Sequence, residues 1–154
     1  MRLTDILSPD CIKVRMAATD KAGVITEMVE LLDAAGKLTD TKLMRQAALE
    51  REATRTTGIG NGLAIPHGKC AAVEDLVMGV GKPEGPIEFD SIDGKPVTLI
   101  IFLASPPDKT GPHIQALARI SRLMTDPKFR QGLDKAATPE QIHALFAASE
   151  GADE

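Results

Sequence analysis

The chain contains no tryptophan, no tyrosine and only four phenylalanines in 154 residues. Surfaces that stack unpaired bases are built on aromatic rings, so this composition argues against a binder of single-stranded nucleic acid. Cysteine is nearly missing too. Cys11 and Cys70 are far apart in sequence, and two lone thiols suggest a reducing compartment rather than a disulfide framework. No long apolar run exists. The longest, VTLIIFLA from Val97 to Ala104, is far below the ~20 residues that span a bilayer. The opening MRLTDILSPD is too polar for a secretion signal, so a cytoplasmic location is expected. Nor is there an excess of positive charge: 18 Lys and Arg face 22 Asp and Glu, for a net −4. That balance argues against a protein coating a polyanion, while leaving room for a local basic patch.

What is present suits one compact domain with an aliphatic core, since 43% of the residues are hydrophobic. From Lys21 to Ala35, the apolar Val24, Ile25, Met28, Leu31, Leu32 and Ala35 recur at helical spacing. Thr19 or Asp20 caps the start, and Gly36 provides a left-handed stop. A second helix is expected from Asp40 to about Ala53, capped by Thr39, with Leu43, Met44, Ala47 and Ala48 facing inward. DLVMGVG (Asp75 to Gly81) and VTLIIFLA read as strands, the latter apolar enough to be covered on both faces. Beyond SPPDKTGPH the helical period returns, with Ile114, Leu117, Ala118, Ser121 and Met124 on one face. Asp126-Pro127 and Thr138-Pro139 each start a helix, and Gln141 can complete a capping box. SEGADE reads as a frayed tail. Helices before and after a core of strands imply a three-layer α/β domain.

Between the helices and the strands lies TGIGNGLAIPHGK, Thr57 to Lys69. Nucleotide loops fail on spacing. A Walker A loop ending in Gly68-Lys69 needs glycine where Leu63 stands, as does a dinucleotide fingerprint beginning at Gly58. His67 and Cys70 lack the companions of a usual metal site, because CxxC, HxxxH and HExxH are all missing. His113 and His143 could join them only through folding. A nucleophilic role for His67 fits better, since an unperturbed imidazole with pKa ~6.5 is mostly neutral at pH 7. Pro66 fixes the approach to His67, and Gly68 with the upstream glycines can leave room for a phosphoryl group and a partner's surface. The same residues also suit a loop histidine beside ordinary turn glycines.

The stretch LEREATRTTGIGNGLAIPHGK, followed in order by PIEFDSIDGKPVTLIIFLASP and PHIQALARISRLMTDPKFRQGL, resembles the fructose/mannitol-type enzyme IIA domains of the bacterial phosphotransferase system. The resemblance runs from about Leu3 to Phe146, and GIGNGLAIPHGK with SIDGKPV is most similar to the nitrogen-regulatory branch. It implies one domain over residues 1–148 with a mixed central sheet flanked by helices, and a flexible tail over 149–154. It also implies that His67 accepts a phosphoryl group on Nε2 from the phosphohistidine of a carrier, HPr or its nitrogen-branch counterpart NPr. Nδ1 would then carry the proton and donate it to an acceptor that the sequence does not reveal. By the same resemblance His113 and Arg51 belong to the phosphoryl pocket, with contacts from Thr57 and Gly68, whereas His143 matches no site and reads as structural. No metal or organic cofactor is implied. The implied role is regulation of target proteins, such as sensor kinases or potassium-transport components, by phosphorylation state. The alternative is a sugar-specific component that passes phosphate to a transporter IIB domain.

Overall fold

The computed structural model describes residues 2–152. Numbered in chain order, the strands are β1 Ile12–Met16, β2 Gly58–Gly60, β3 Leu63–Ala64, β4 His67–Lys69, β5 Val77–Pro83 and β6 Leu99–Ser105. The helices are α1 Lys21–Ala34, α2 Thr41–Thr54, α3 Thr110–Leu123, α4 Pro127–Lys135 and α5 Pro139–Ala152, with short 3-10 turns at Leu3–Asp5 and Pro9–Cys11. Every residue of β6 is buried, as its unbroken apolar run requires of a central strand.

β6 pairs antiparallel with β5, which pairs parallel with the edge strand β1. On its other side β6 meets β3 and then β4, both parallel, and β2 closes that edge as an antiparallel partner of β3. The sheet is therefore mixed. Side-chain alternation along β5 separates its two covers. A Cβ on Gly79 or Gly81 would meet Met28 of α1, whereas Lys82 reaches the carbonyls of Leu133, Asp134 and Ala136 at the end of α4. Helices lie on both faces, in three layers.

Sequence patterning does not announce β1. Its apolar alternation is brief, and it is broken by a bulge at Arg15, whose φ of 58° takes it out of register between Val14 and Met16. Asp20 caps α1 by accepting from the Gly23 N–H, and Gly36 takes the left-handed φ of 75°. For α2 the cap is Asp40 rather than Thr39, because Asp40 accepts the Leu43 N–H while the Thr39 N–H donates to the Ala72 carbonyl. The inward stripe of α2 is Met44, Ala48 and Glu52, and Leu43 is exposed. The face expected of α3 is rotated. Ala116 and Ile120 are buried, whereas Ile114 is 59% exposed. Asp126 caps α4, and Thr138 with Gln141 brackets the start of α5.

The expected frayed tail is corrected for residues 149–152, which continue α5; residues 153–154 lie outside the described residues. The physical reason is Glu150, a 3% exposed side chain that accepts the Leu3 and Thr4 N–H groups and lies 4.0 Å from Arg119. Glu150→Ala is expected to lower unfolding free energy by about 1.5–3 kcal/mol, because two N–H donors lose a charged acceptor. Urea denaturation of both proteins measures this, and a difference near zero would show that water replaces the carboxylate.

Candidate functional site

The glycine-rich stretch forms a hairpin and then a strand. Asn61 and Gly62 turn the chain from β2 into β3 with φ of 57° and 77°, the sign a two-residue hairpin requires. Leu63 and Ala64 then pair with Leu99 and Ile100, and His67 to Lys69 pair with Leu103 to Ser105 at the same offset. Only Ile65-Pro66 interrupts the ladder. There the Ile65 N–H turns to the Thr57 carbonyl, while the Pro66 carbonyl still accepts from Leu103. Proline is tolerated because that position uses no ladder donor.

Alternation along this strand builds the site. Gly68 faces α2, where an added Cβ would lie 2.6 Å from Met44 Sδ, 3.3 Å from the Met44 carbonyl oxygen and 3.4 Å from the Ala48 nitrogen. His67 and Lys69 point the other way, toward α3. Lys69 Nζ donates to Thr110 Oγ1 at 2.6 Å, and the His67 and His113 rings meet edge to face with centroids 5.1 Å apart. His67 thus sits beside the first turns of α3, where the helix dipole presents partial positive charge.

The tautomer of His67 follows from its partner. Nδ1 lies 3.0 Å from the Ile65 carbonyl oxygen, which can only accept, so Nδ1 carries the proton. Nε2 keeps its lone pair, has no hydrogen-bond partner among the described residues and is not sealed from solvent. Burial is the main cause that lowers the His67 pKa; the Ile65 hydrogen bond and Glu52 act upward, and Arg51 downward. His113 is pushed down to about 4, by burial first and then by His67, Lys69 and Arg51. Both rings are neutral at pH 7. His113 Nδ1 is buried without a hydrogen-bond partner.

The remaining expected site residues divide. Arg51, in the last turn of α2, donates through Nη1 to the Arg55 carbonyl at 2.9 Å and acts electrostatically on both histidines. Thr57 is buried, and its hydroxyl already donates to Glu52, which corrects its place among the open pocket contacts. The glycines also need correcting, as devices that clear space for a ligand. Gly60 and Gly62 supply positive φ, Gly58 abuts Ser91, and Gly68 admits α2. His143 lies elsewhere, with Nε2 donating to the Leu7 carbonyl at 3.2 Å. Among the described residues, no three His, Cys, Asp or Glu side chains gather as metal ligands, and no helix is long and apolar enough to cross a membrane.

One residue that sequence reasoning passed over is Glu52. Only 5% exposed, it accepts the Thr57 N–H at 2.8 Å and the Thr57 hydroxyl, with Lys21 Nζ 3.4 Å away. The Thr57 carbonyl receives the Ile65 N–H, and the Ile65 carbonyl receives His67 Nδ1–H, so three successive hydrogen bonds, linked through the Thr57 and Ile65 backbone, connect Glu52 to the imidazole. The available signal was a carboxylate at the four-residue spacing of Met44 and Ala48, on the buried stripe of α2.

A model of the family described as "Phosphoenolpyruvate-dependent sugar phosphotransferase system, EIIA 2" matches residues 5–149. The chain is 36% identical over 142 residues to the PTS system fructose-specific EIIABC component of Bacillus subtilis, spanning 92% of the chain but only 22% of that relative's length. It is 32% identical over 154 residues to the nitrogen regulatory protein of Escherichia coli, covering 98% of the chain and 93% of the relative. Among solved structures, nitrogen regulatory protein IIA-Ntr from Neisseria meningitidis superposes with a TM-score of 0.86 at 29% identity, covering 94% of this chain and 98% of that one.

Three outcomes are expected. The ring protons of His113 should titrate with a midpoint near pH 4 by NMR, and those of His67 below the ordinary 6.5. Because the unfolded chain binds protons that these folded rings refuse, the stability they contribute is full above pH 6.5 and lost as pH falls toward 4. Chemical denaturation across that window reads the slope. Gly68→Ala should cost about 1–3 kcal/mol, since the new methyl overpacks the seam with α2. A neutral result in thermal denaturation would mean that Met44 simply moves aside.

Proposed function

The chain belongs to the EIIA 2 family of the phosphoenolpyruvate-dependent sugar phosphotransferase system, and from that premise we propose that His67 is its phosphoryl acceptor. The observation that carries the proposal is the Nδ1–H to Ile65 carbonyl bond, which leaves Nε2 as a free, oriented lone pair on a neutral ring.

In the proposed step, Nε2 attacks the phosphorus of a phosphohistidine on a carrier protein of the HPr or NPr kind. The carrier's P–N bond breaks, and its imidazole leaves with the electron pair. With the carrier's ring protonated on its other nitrogen, it departs neutral, and the positive charge passes to the His67 ring. The Ile65 carbonyl, already holding the Nδ1 proton, stabilises that charge. One phosphoimidazole is exchanged for another, so positioning and electrostatics carry the rate. The buried unpartnered nitrogen of His113 supplies a hydrogen bond for a phosphoryl oxygen, and Arg51, Lys69 and the start of α3 surround it with positive charge.

The reading favoured is regulatory. Phosphorylation adds up to two negative charges to a half-buried ring, so target proteins distinguish the two states by charge at the docking face. Sensor kinases and potassium-transport components are the implied targets. Near-complete mutual coverage with the nitrogen regulatory protein and the TM-score of 0.86 to IIA-Ntr support it. The 36% identity to a fructose-specific EIIABC component supports a second reading, onward transfer to a cysteine of a IIB domain.

Phosphotransfer from a purified phosphocarrier is the test. His67→Ala should take up no acid-labile phosphate, and stoichiometric labelling of that variant would sink the assignment. His113→Ala should retain the acceptor but slow its labelling on the order of 10²-fold. For the native protein, the rate should stay flat from pH 8 past the ordinary imidazole value of about 6.5 and fall only where the lowered His67 pKa is crossed. Robust transfer onward to a IIB domain would move the assignment to the sugar-specific reading.

A further inference from the structure

A polar cavity of 280 Å³ opens near the start of β6, whereas His67 pairs with Leu103 farther along that strand. Its polar walls come from Asn61, Lys82, Thr98, Arg130, Gln131 and Asp134, none of which serves the site around His67. Two cations here lack counter-charges. Lys82 Nζ donates to the carbonyls of Leu133 (2.7 Å), Asp134 (3.0 Å) and Ala136 (2.8 Å), which occupies its three protons. Its charge meets no carboxylate within ion-pair distance among the described residues, and neither does that of Arg130.

Arg130 is the more telling of the two. Its Nε is buried and has no hydrogen-bond partner. A buried N–H left without an acceptor is rare in native proteins and calls for an explanation. A guanidinium offers Nε–H and a neighbouring N–H as a planar fork that matches the two oxygens of a carboxylate or phosphate. Asp134 contributes one carboxylate to the same wall, leaving a net charge of +1 from two cations and one anion. The net charge favours an anion, and Asp134 in the same wall adds an acceptor that a ligand with both an acidic head and a donor would use.

We propose that this cavity binds a small metabolite with an oxyanion head, a carboxylate or phosphate monoester, beside a hydroxyl or ammonium donor. Arg130 grips the head through its unpartnered fork, Lys82 adds positive charge held rigid by three carbonyls, and Asp134 accepts from the donor. The volume sits at the small end of ligand pockets, which restricts the occupant to a compact molecule.

The test uses the full chain and does not depend on phosphoryl transfer. Glycerol 3-phosphate and L-malate, with inorganic phosphate for comparison, are titrated while the Arg130 Nε–H resonance is followed by NMR and heat by calorimetry. One of the two hydroxylated probes should shift that resonance saturably, and which one does so identifies the head group. Arg130→Gln should weaken binding by about tenfold or more, as expected for losing a charge-assisted fork. Arg130→Lys keeps the charge without the fork and should fall between, which also covers a folding failure of the glutamine variant. Asp134→Asn should weaken the hydroxylated probe while leaving inorganic phosphate unchanged or tighter. No saturable shift with either probe at millimolar concentration, or full-strength binding to both Arg130 variants, overturns the proposal. Inorganic phosphate binding as tightly as either metabolite overturns the role given to Asp134.

Discussion

Everything at the candidate site depends on the parallel pairing of residues 63–69 with β6. Because the offset survives the break at Ile65-Pro66, side-chain alternation is fixed from the hairpin to Lys69. A slip by one residue would exchange the faces, sending an imidazole into α2 and presenting a bare glycine to α3. The buried, uninterrupted β6 therefore does more than fill the core. It is the ruler against which His67 is placed, and the interrupted position frees the Ile65 carbonyl to hold the ring.

The electrostatics of the site oppose one another usefully. Burial and nearby Arg51 lower the pKa of both histidines, with Lys69 adding to this at His113, which preserves the lone pair on His67. The same cations and the start of α3 make the surroundings receptive to a dianion. A site that discourages a proton and welcomes a phosphoryl group suits the proposed reaction in both directions, loading and unloading. Glu52 tempers this from beneath, anchored to Lys21 and to the Thr57 backbone rather than exposed to the incoming group.

Much of the fold was legible because its strongest elements are local. The α1 stripe with its Asp20 cap and Gly36 stop, the proline-started α4 and α5, and the apolar β6 all carry their own signals. What was illegible depends on partners distant in sequence. β1 is recognisable only once β5 lies beside it, and the face that α3 buries, with Ala116 and Ile120, is set by the elements packed against it. His67 stood out through its frame and its family resemblance, yet the reasons for the frame were misread. Glycines that seemed to bare the histidine serve the hairpin, the Ser91 contact and the α2 seam. The tautomer-fixing carbonyl belongs to an isoleucine, and no side-chain pattern can point to a backbone oxygen.

The Glu150 carboxylate, closed over the Leu3 and Thr4 amides, has a topological consequence. It brings the two ends of the described residues to one spot. A fold with its ends so joined behaves as a closed loop with a single point of attachment. It can be spliced into a longer polypeptide, or tethered from either end, without any element of the sheet having to stretch.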